Sequence, residues 1–162
     1  MRPALLVGIL VLALAPAAPA ATRHRTRLWA TVNVCDTAHH PNTIGIRASM
    51  PGTGRAGDEM FMRFQVQYRS GVDHLWHNIG SGADSGYVHV GSSLFKARLS
   101  GWRFRFQSRA DGHVQVLRGA VTFEWRRRGR SVRHVRRATV AGHPSVVDSD
   151  PRGHSSATCR LH

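Results

Sequence analysis

Residues 60–68 read Met60-Phe61-Met62-Arg63-Phe64-Gln65-Val66-Gln67-Tyr68. Met60, Met62, Phe64, Val66 and Tyr68 fall on one side of a two-residue period; Phe61, Arg63, Gln65 and Gln67 fall on the other. Successive side chains of a strand point to opposite faces, so this run predicts a half-buried β-strand. Helical spacing does not fit it.

The same period extends in both directions. Leu28, Ala30, Val32 and Val34 form one face of a first strand ending at Cys35, and Asp36–Asn42 has the chemistry of a turn. Ile44, Ile46, Ala48 and Met50 form the inward face of a second strand, which Pro51-Gly52-Thr53-Gly54 stops. After the central run, Leu75–Ile79 reads as a short strand carrying Trp76, Gly80–Gly86 as a flexible loop, and Tyr87–Val90 as a short β-prone stretch. The stretch Gly91–Leu99 is open between a strand and a short helical turn. Trp102, Phe104 and Phe106 alternate with Arg103 and Arg105. Val114 and Val116 precede Gly119, which predicts a bulge or bend. Val121, Phe123 and Trp125 alternate with Thr122 and Glu124, Arg128-Gly129 occupies a hairpin tip, and Ser131–Val140 returns. No stretch reads as a helix of three turns.

Seven to nine short strands with regular turn signals predict an all-β, antiparallel two-sheet sandwich of immunoglobulin-like type. A Trp in a middle strand, Trp76, suits such a fold, although the Cys…Trp…Cys spacing of antibody domains is missing. Residues 29–161 are assigned to this single domain, with 141–158 as a loop-rich connection to the last strand. The chain of 162 residues, 41% of them apolar, has room for one such domain.

The pieces Cys35-Asp36, Met60–Phe64, Val121–Arg126, the arginine-rich return Val132–Thr139 and the late Cys159 resemble secreted proteins of high-GC actinobacteria that look like immunoglobulin or fibronectin type III sandwiches. The resemblance covers roughly residues 29–161. It implies a fold and a disulfide, and it implies no activity.

Residues 1–20 read as an address. Met1-Arg2 is a short positive start, Ala4–Ala15 is uninterruptedly apolar, and Ala18-Pro19-Ala20 is an A-x-A cleavage pattern. The apolar core of 12 residues is shorter than the roughly 20 that a spanning helix needs. A secretory signal peptide cleaved after Ala20 is therefore expected, followed by a basic, flexible arm over residues 21–28. An uncleaved anchor helix is the alternative. Export lets the only two cysteines, Cys35 and Cys159, form a disulfide; the alternative is a pair of buried thiols.

Charge is the strongest compositional signal. Lys and Arg number 23 against 9 Asp and Glu, a formal net charge of +14, and Lys96 is the one lysine. Arg126, Arg127, Arg128, Arg130, Arg133, Arg136 and Arg137 crowd a 12-residue stretch without an acid. On a hairpin tip and one strand face they would form a cationic ridge. Guanidinium forks bind phosphate, sulfate and carboxylate bidentately, so the expected partners are extracellular or cell-wall polyanions. A solvated edge strand whose charges block aggregation is the competing reading.

Other chemistry is faint. There is no helix-turn-helix, zinc-finger or RNA-binding signature, so sequence-specific nucleic-acid recognition is not expected. Among eleven histidines, His74 and His77 show an H-x-x-H spacing and His39-His40 are adjacent, with no carboxylate or thiol nearby to complete a metal set. No G-x-S-x-G elbow appears, no cofactor is implied, and Asp148 and Asp150 read as an exposed solubilising pair. Asp58-Glu59 reads as a strand-start turn. The expectation is a secreted, cationic, non-enzymatic module. The alternative is an exported hydrolase with a loop-built active site, which needs His, Asp and Ser side chains converging in a concave pocket.

Overall fold

A computed structural model describes residues 28–107, 113–143 and 146–162. The expected signal peptide and nearly all of the basic arm lie outside them. Nine strands, and no helix among the described residues, follow in chain order: β1 Trp29–Thr37, β2 His40–Pro51, β3 Asp58–Arg69, β4 Trp76–Asn78, β5 Asp84–Ser92, β6 Ala97–Arg105, β7 Gln115–Arg127, β8 Arg130–Ala138 and β9 Cys159–Leu161.

The central run is the spine of β3. It pairs antiparallel with β7 without a register shift, from Asp58 opposite Arg127 to Tyr68 opposite Leu117. β4 and β5 share the other edge of β3, and β8 and β9 share the other edge of β7, giving a six-stranded sheet. A second sheet has the order β1-β2-β6, and every pairing in the two sheets is antiparallel. Assigned immunoglobulin strand letters, β1, β2 and β6 take the places of A, B and E, and β3, β7 and β8 those of C, F and G. The fold is the expected all-β sandwich.

Alternation builds the core. Met60, Met62, Phe64 and Val66 of β3 and Leu117, Val121, Phe123 and Trp125 of β7 meet Ala30, Val32, Ile44, Ile46, Ala48 and Met50 of the facing sheet, all buried. Each fully buried large apolar side chain contributes roughly 1.5–3 kcal/mol. The core tryptophan is Trp125, whose indole Nε1 donates to the Pro51 carbonyl at 3.1 Å. Trp76 instead lies half-buried on the short edge strand β4. Its aromatic neighbourhood in sequence did not separate the two; only the paired, doubly flanked position of β7 does.

Four local expectations are corrected. The stretch Gly80–Gly86 is not wholly loop: β5 starts at Asp84, and the Val66 N–H donates to the carbonyl of buried Ala83 at 2.9 Å. The register runs through Gly119 without a bulge. That glycine serves close packing, since a Cβ there would lie 2.7 Å from Ile46 Cδ1 and Thr139 Cγ2. The bulge falls between Trp125 and Arg126 in the β7–β8 pairing. Asp58 is no turn residue but the first residue of β3, and it is buried.

Fourth, only Asp148 of the expected exposed pair is exposed; Asp150 is half-buried. The connection to β9 runs back along the free edge of β1, where Val140, Asp150 and Ser156 donate backbone N–H groups to Ala30, Asn33 and Val32. Asp150 accepts from the Thr37 hydroxyl and faces His39, and Asp148 pairs with Arg47 at 3.1 Å. An uncovered edge strand invites pairing with other chains, so this cover has a physical task. Trp29 of β1 stacks on His143 at 4.5 Å between ring centroids, and burial pushes that imidazole below its usual pKa.

Cys35 near the end of β1 and Cys159 at the start of β9 are bonded, with Cα atoms 5.3 Å apart and a sequence separation of 124. The bond joins one sheet to the other. Closing a loop of that length stabilises by at most about 5 kcal/mol in the chain-entropy account. Reduction, or paired Cys35→Ser and Cys159→Ser changes, should lower the unfolding free energy toward that limit, read by equilibrium denaturation with and without reductant. A loss under about 1 kcal/mol would mean that the cross-link does not restrain the unfolded chain. Gly119→Ala should cost about 1–3 kcal/mol by overpacking against Ile46.

Candidate polyanion-binding surface

The β7–β8 hairpin carries all seven arginines of the stretch 126–137. Arg128 and Gly129 form its two-residue turn with φ of 51° and 77°. Positive φ at both positions is the type I′ geometry that matches strand twist. Beyond the turn, register decides which way each arginine faces. Arg133 lies opposite Trp125, Val135 opposite Phe123 and Arg137 opposite Val121, the side of the sheet that carries the core. Arg136 lies opposite Thr122 and His134 opposite Glu124, the outer side. β8 is an edge strand, so even the inward-side Arg133 and Arg137 are exposed. The seven arginines therefore occupy a tip and both faces of an edge rather than one strand face.

Two of the seven are bound into the fold. Arg127 makes a fork with Asp58, Nε to Oδ1 at 2.6 Å and Nη2 to Oδ2 at 3.1 Å. That fork holds the buried Asp58 carboxyl below the usual carboxylate range. Arg126 pairs with Glu124 at 2.7 Å and lies over the rings of Phe61 and Tyr87, 4.1 and 4.7 Å from their centroids. Burial raises the Glu124 carboxyl, and hydrogen bonds led by Arg126 more than offset it.

The other five carry no carboxylate partner among the described residues. Arg128 and Arg130 stand at the tip, exposed. Arg133 lies over Trp125 at 4.8 Å, and Arg137 Nη1 donates to the Arg136 carbonyl at 2.9 Å. Arg136 meets only amide oxygens, those of Gln65 at 3.3 Å and Asn78 at 3.2 Å. Arg118, on β7, belongs beside it. Its Nε donates to Gln67 Oε1 at 2.9 Å and its guanidinium lies 4.3 Å from the Trp76 ring centroid. Sequence reasoning missed Arg118 because it stands alone in its stretch, and only register brings it to the same sheet face as Arg136.

The acids are largely spent on structure. Asp84 accepts from Arg63 through both guanidinium positions and from Gln65 Nε2 at 2.9 Å; the Arg63 hydrogen bonds bring its pKa down to about 2. Asp73 accepts from the Leu75 N–H, which leads the causes of a pKa also near about 2, and it pairs with His77 at 2.8 Å. His74 sits at a positive φ in the preceding turn, so the H-x-x-H spacing is spread over a turn and a strand. Among the described residues no three His, Cys, Asp or Glu side chains gather as a metal set. Asp148 and Ser149 line one groove, but the Ser149 hydroxyl donates to the Val146 carbonyl and accepts from the Gly153 N–H, and no histidine lines that groove.

No family model, curated protein or solved structure matches the chain.

Asp58, Asp73 and Asp84 all bind their proton less readily in the fold than in the unfolded chain, where an aspartate titrates near about 3.9. The unfolded state therefore takes up more protons in acid. The contribution of Asp73 and Asp84 is present above about pH 4 and is lost as the pH falls through about 2, and that of Asp58 is lost in the same direction, on acidification. Denaturant midpoints measured down that window should fall, and Asp84→Asn should flatten the fall. An unchanged slope in that variant would remove Arg63–Asp84 from the account.

Proposed function

We propose that the chain is an exported, cationic immunoglobulin-like module without enzymatic activity, and that its β7–β8 hairpin holds extracellular polyanions. The observation that carries this reading is the set of exposed guanidiniums, Arg128, Arg130, Arg133 and Arg137, with no carboxylate partner among the described residues on an edge hairpin. Two further facts support it. The Cys35–Cys159 disulfide suits an oxidising compartment, in line with the signal-like residues 1–20. No helix among the described residues is long and apolar enough to cross a membrane.

Arg128 adds an argument from strain. It occupies a left-handed position, φ 51°, that Asn or Gly adopts more easily. A bulky cation kept at a strained tip is what a binding role would select. Against a purely protective edge, any turn residue of suitable conformation would have served.

A salt series on heparin resin and on isolated cell wall tests the proposal. The protein should elute above physiological salt. Joint replacement of Arg128, Arg130, Arg133 and Arg137 by Gln should move elution to distinctly lower salt. Elution below physiological salt, unchanged by those replacements, would overturn the reading. Arg128→Asn should separate the two roles of that residue, raising stability by up to about 1 kcal/mol while weakening retention.

A further inference from the structure

On the outer face of the six-stranded sheet, Arg118 and Arg136 stand on either side of the Ala120–Ala138 pair. Alanine side chains are short, so the space between the two guanidiniums stays open. The result is a groove of about 230 Å³ lined by Gln67, Arg118, Ala120, Arg136 and Ala138.

Both walls are held from behind. Arg118 rests on the Trp76 ring and donates to Gln67 Oε1. Gln67, only 7% exposed, is itself fixed by donation from its Nε2 to Asn78 Oδ1 at 3.0 Å. Arg136 donates to Asn78 Oδ1 and Gln65 Oε1. Every acceptor in this network is a neutral amide. The carboxylate on the adjoining strand, Asp84, is taken up by Arg63 and Gln65 Nε2. Two like charges thus share one groove with no counter-charge among the described residues. Burial first, and then the charge of Arg136, push the Arg118 guanidinium below its usual pKa. A bound anion would relieve both penalties, since paired guanidiniums hold oxyanions through short, charge-assisted hydrogen bonds.

We propose that this groove is a subsite for a tetrahedral oxyanion, the phosphate or sulfate ester group of a polyanion. The proposal deepens the hairpin reading and rests on it for the polymer, while the subsite itself rests on Arg118 and Arg136. A tetrahedral group presents oxygens to both walls at once. A carboxylate also reaches two donors but offers only two oxygens, fewer than the N–H groups that Arg118 and Arg136 together present.

The test uses ¹⁵N-labelled protein titrated with inorganic phosphate, inorganic sulfate or acetate at constant ionic strength. The readouts are the arginine Nε–H signals and the Trp76 indole signal. Phosphate or sulfate should saturate the Arg118 signal, and the tighter of the two names the ester. Arg118→Gln and Arg136→Gln should each weaken that binding about tenfold or more, as expected for losing a charged hydrogen-bond donor. Arg103→Gln, on the other sheet, should leave it unchanged. Arg136 is exposed, so its variant carries the test even where Arg118→Gln fails to fold. Shifts that rise linearly without saturating, persist in both variants, or are matched by acetate overturn the subsite. Heparin retention without a saturable groove would leave the hairpin reading standing and remove this one. A saturable groove without retention would do the reverse.

Discussion

The ladder between β3 and β7 is the constraint on which the rest of the molecule depends. Eleven consecutive residue pairs run from Asp58–Arg127 to Tyr68–Leu117 without a slip. Shifting that register by one residue would send Met60, Met62, Phe64 and Val66 to the solvent side and Arg63 and Gln65 to the core. The hydrophobic cost of such a slip makes the register nearly unique. Once it is set, the outer face is set as well: Phe61 lies opposite Glu124, Arg63 opposite Thr122 and Gln67 opposite Arg118. The ion pairs and ring contacts of that face follow from the pairing rather than cause it.

Each sheet ends in edge strands, and the protein treats the β1 and β8 edges differently. The free edge of β1 is covered by the connection that returns to Cys159, with backbone hydrogen bonds from Val140, Asp150 and Ser156. The disulfide anchors the end of that cover across the two sheets. The edge of β8 receives no such cover from the described residues and bears arginines instead. Charge on an edge keeps other strands away, and the same charge draws in anions. The two roles are compatible, and the strained Arg128 tip and the uncompensated Arg118–Arg136 groove favour the second.

Acids and arginines are distributed accordingly. Asp58, Asp84 and Glu124 each hold a particular arginine and so fix strand ends and the outer face. The surplus of cations is what remains after these pairings, and on β8 it is displayed. Net charge alone would have described a uniformly basic surface. The pairing pattern separates arginines that stabilise the sandwich from arginines available to a ligand.

Several elements were legible in the amino-acid order because their causes are local. The faces of β1, β2, β3 and β7 follow from every-second-residue apolarity, and the β7–β8 turn from Arg128-Gly129. The candidate pairing of Cys35 with Cys159 followed from an apolar leader and a cysteine count of two. Other features depended on which strand lies beside which. Gly119 reads as a bulge or bend until Ile46 is placed against it. Trp76 and Trp125 carry the same local signal, yet one is on an edge and the other in the centre. Asp150 looks solvated until the chain folds back along β1 and half-buries it against Thr37 and His39. Arg118 is an isolated cation in sequence, and only cross-strand register sets it across a pair of alanines from Arg136. Periodicity is a property of neighbouring residues and survives in a string; juxtaposition across 18 positions (Arg118 and Arg136) or 73 (Ile46 and Gly119) is created by the fold.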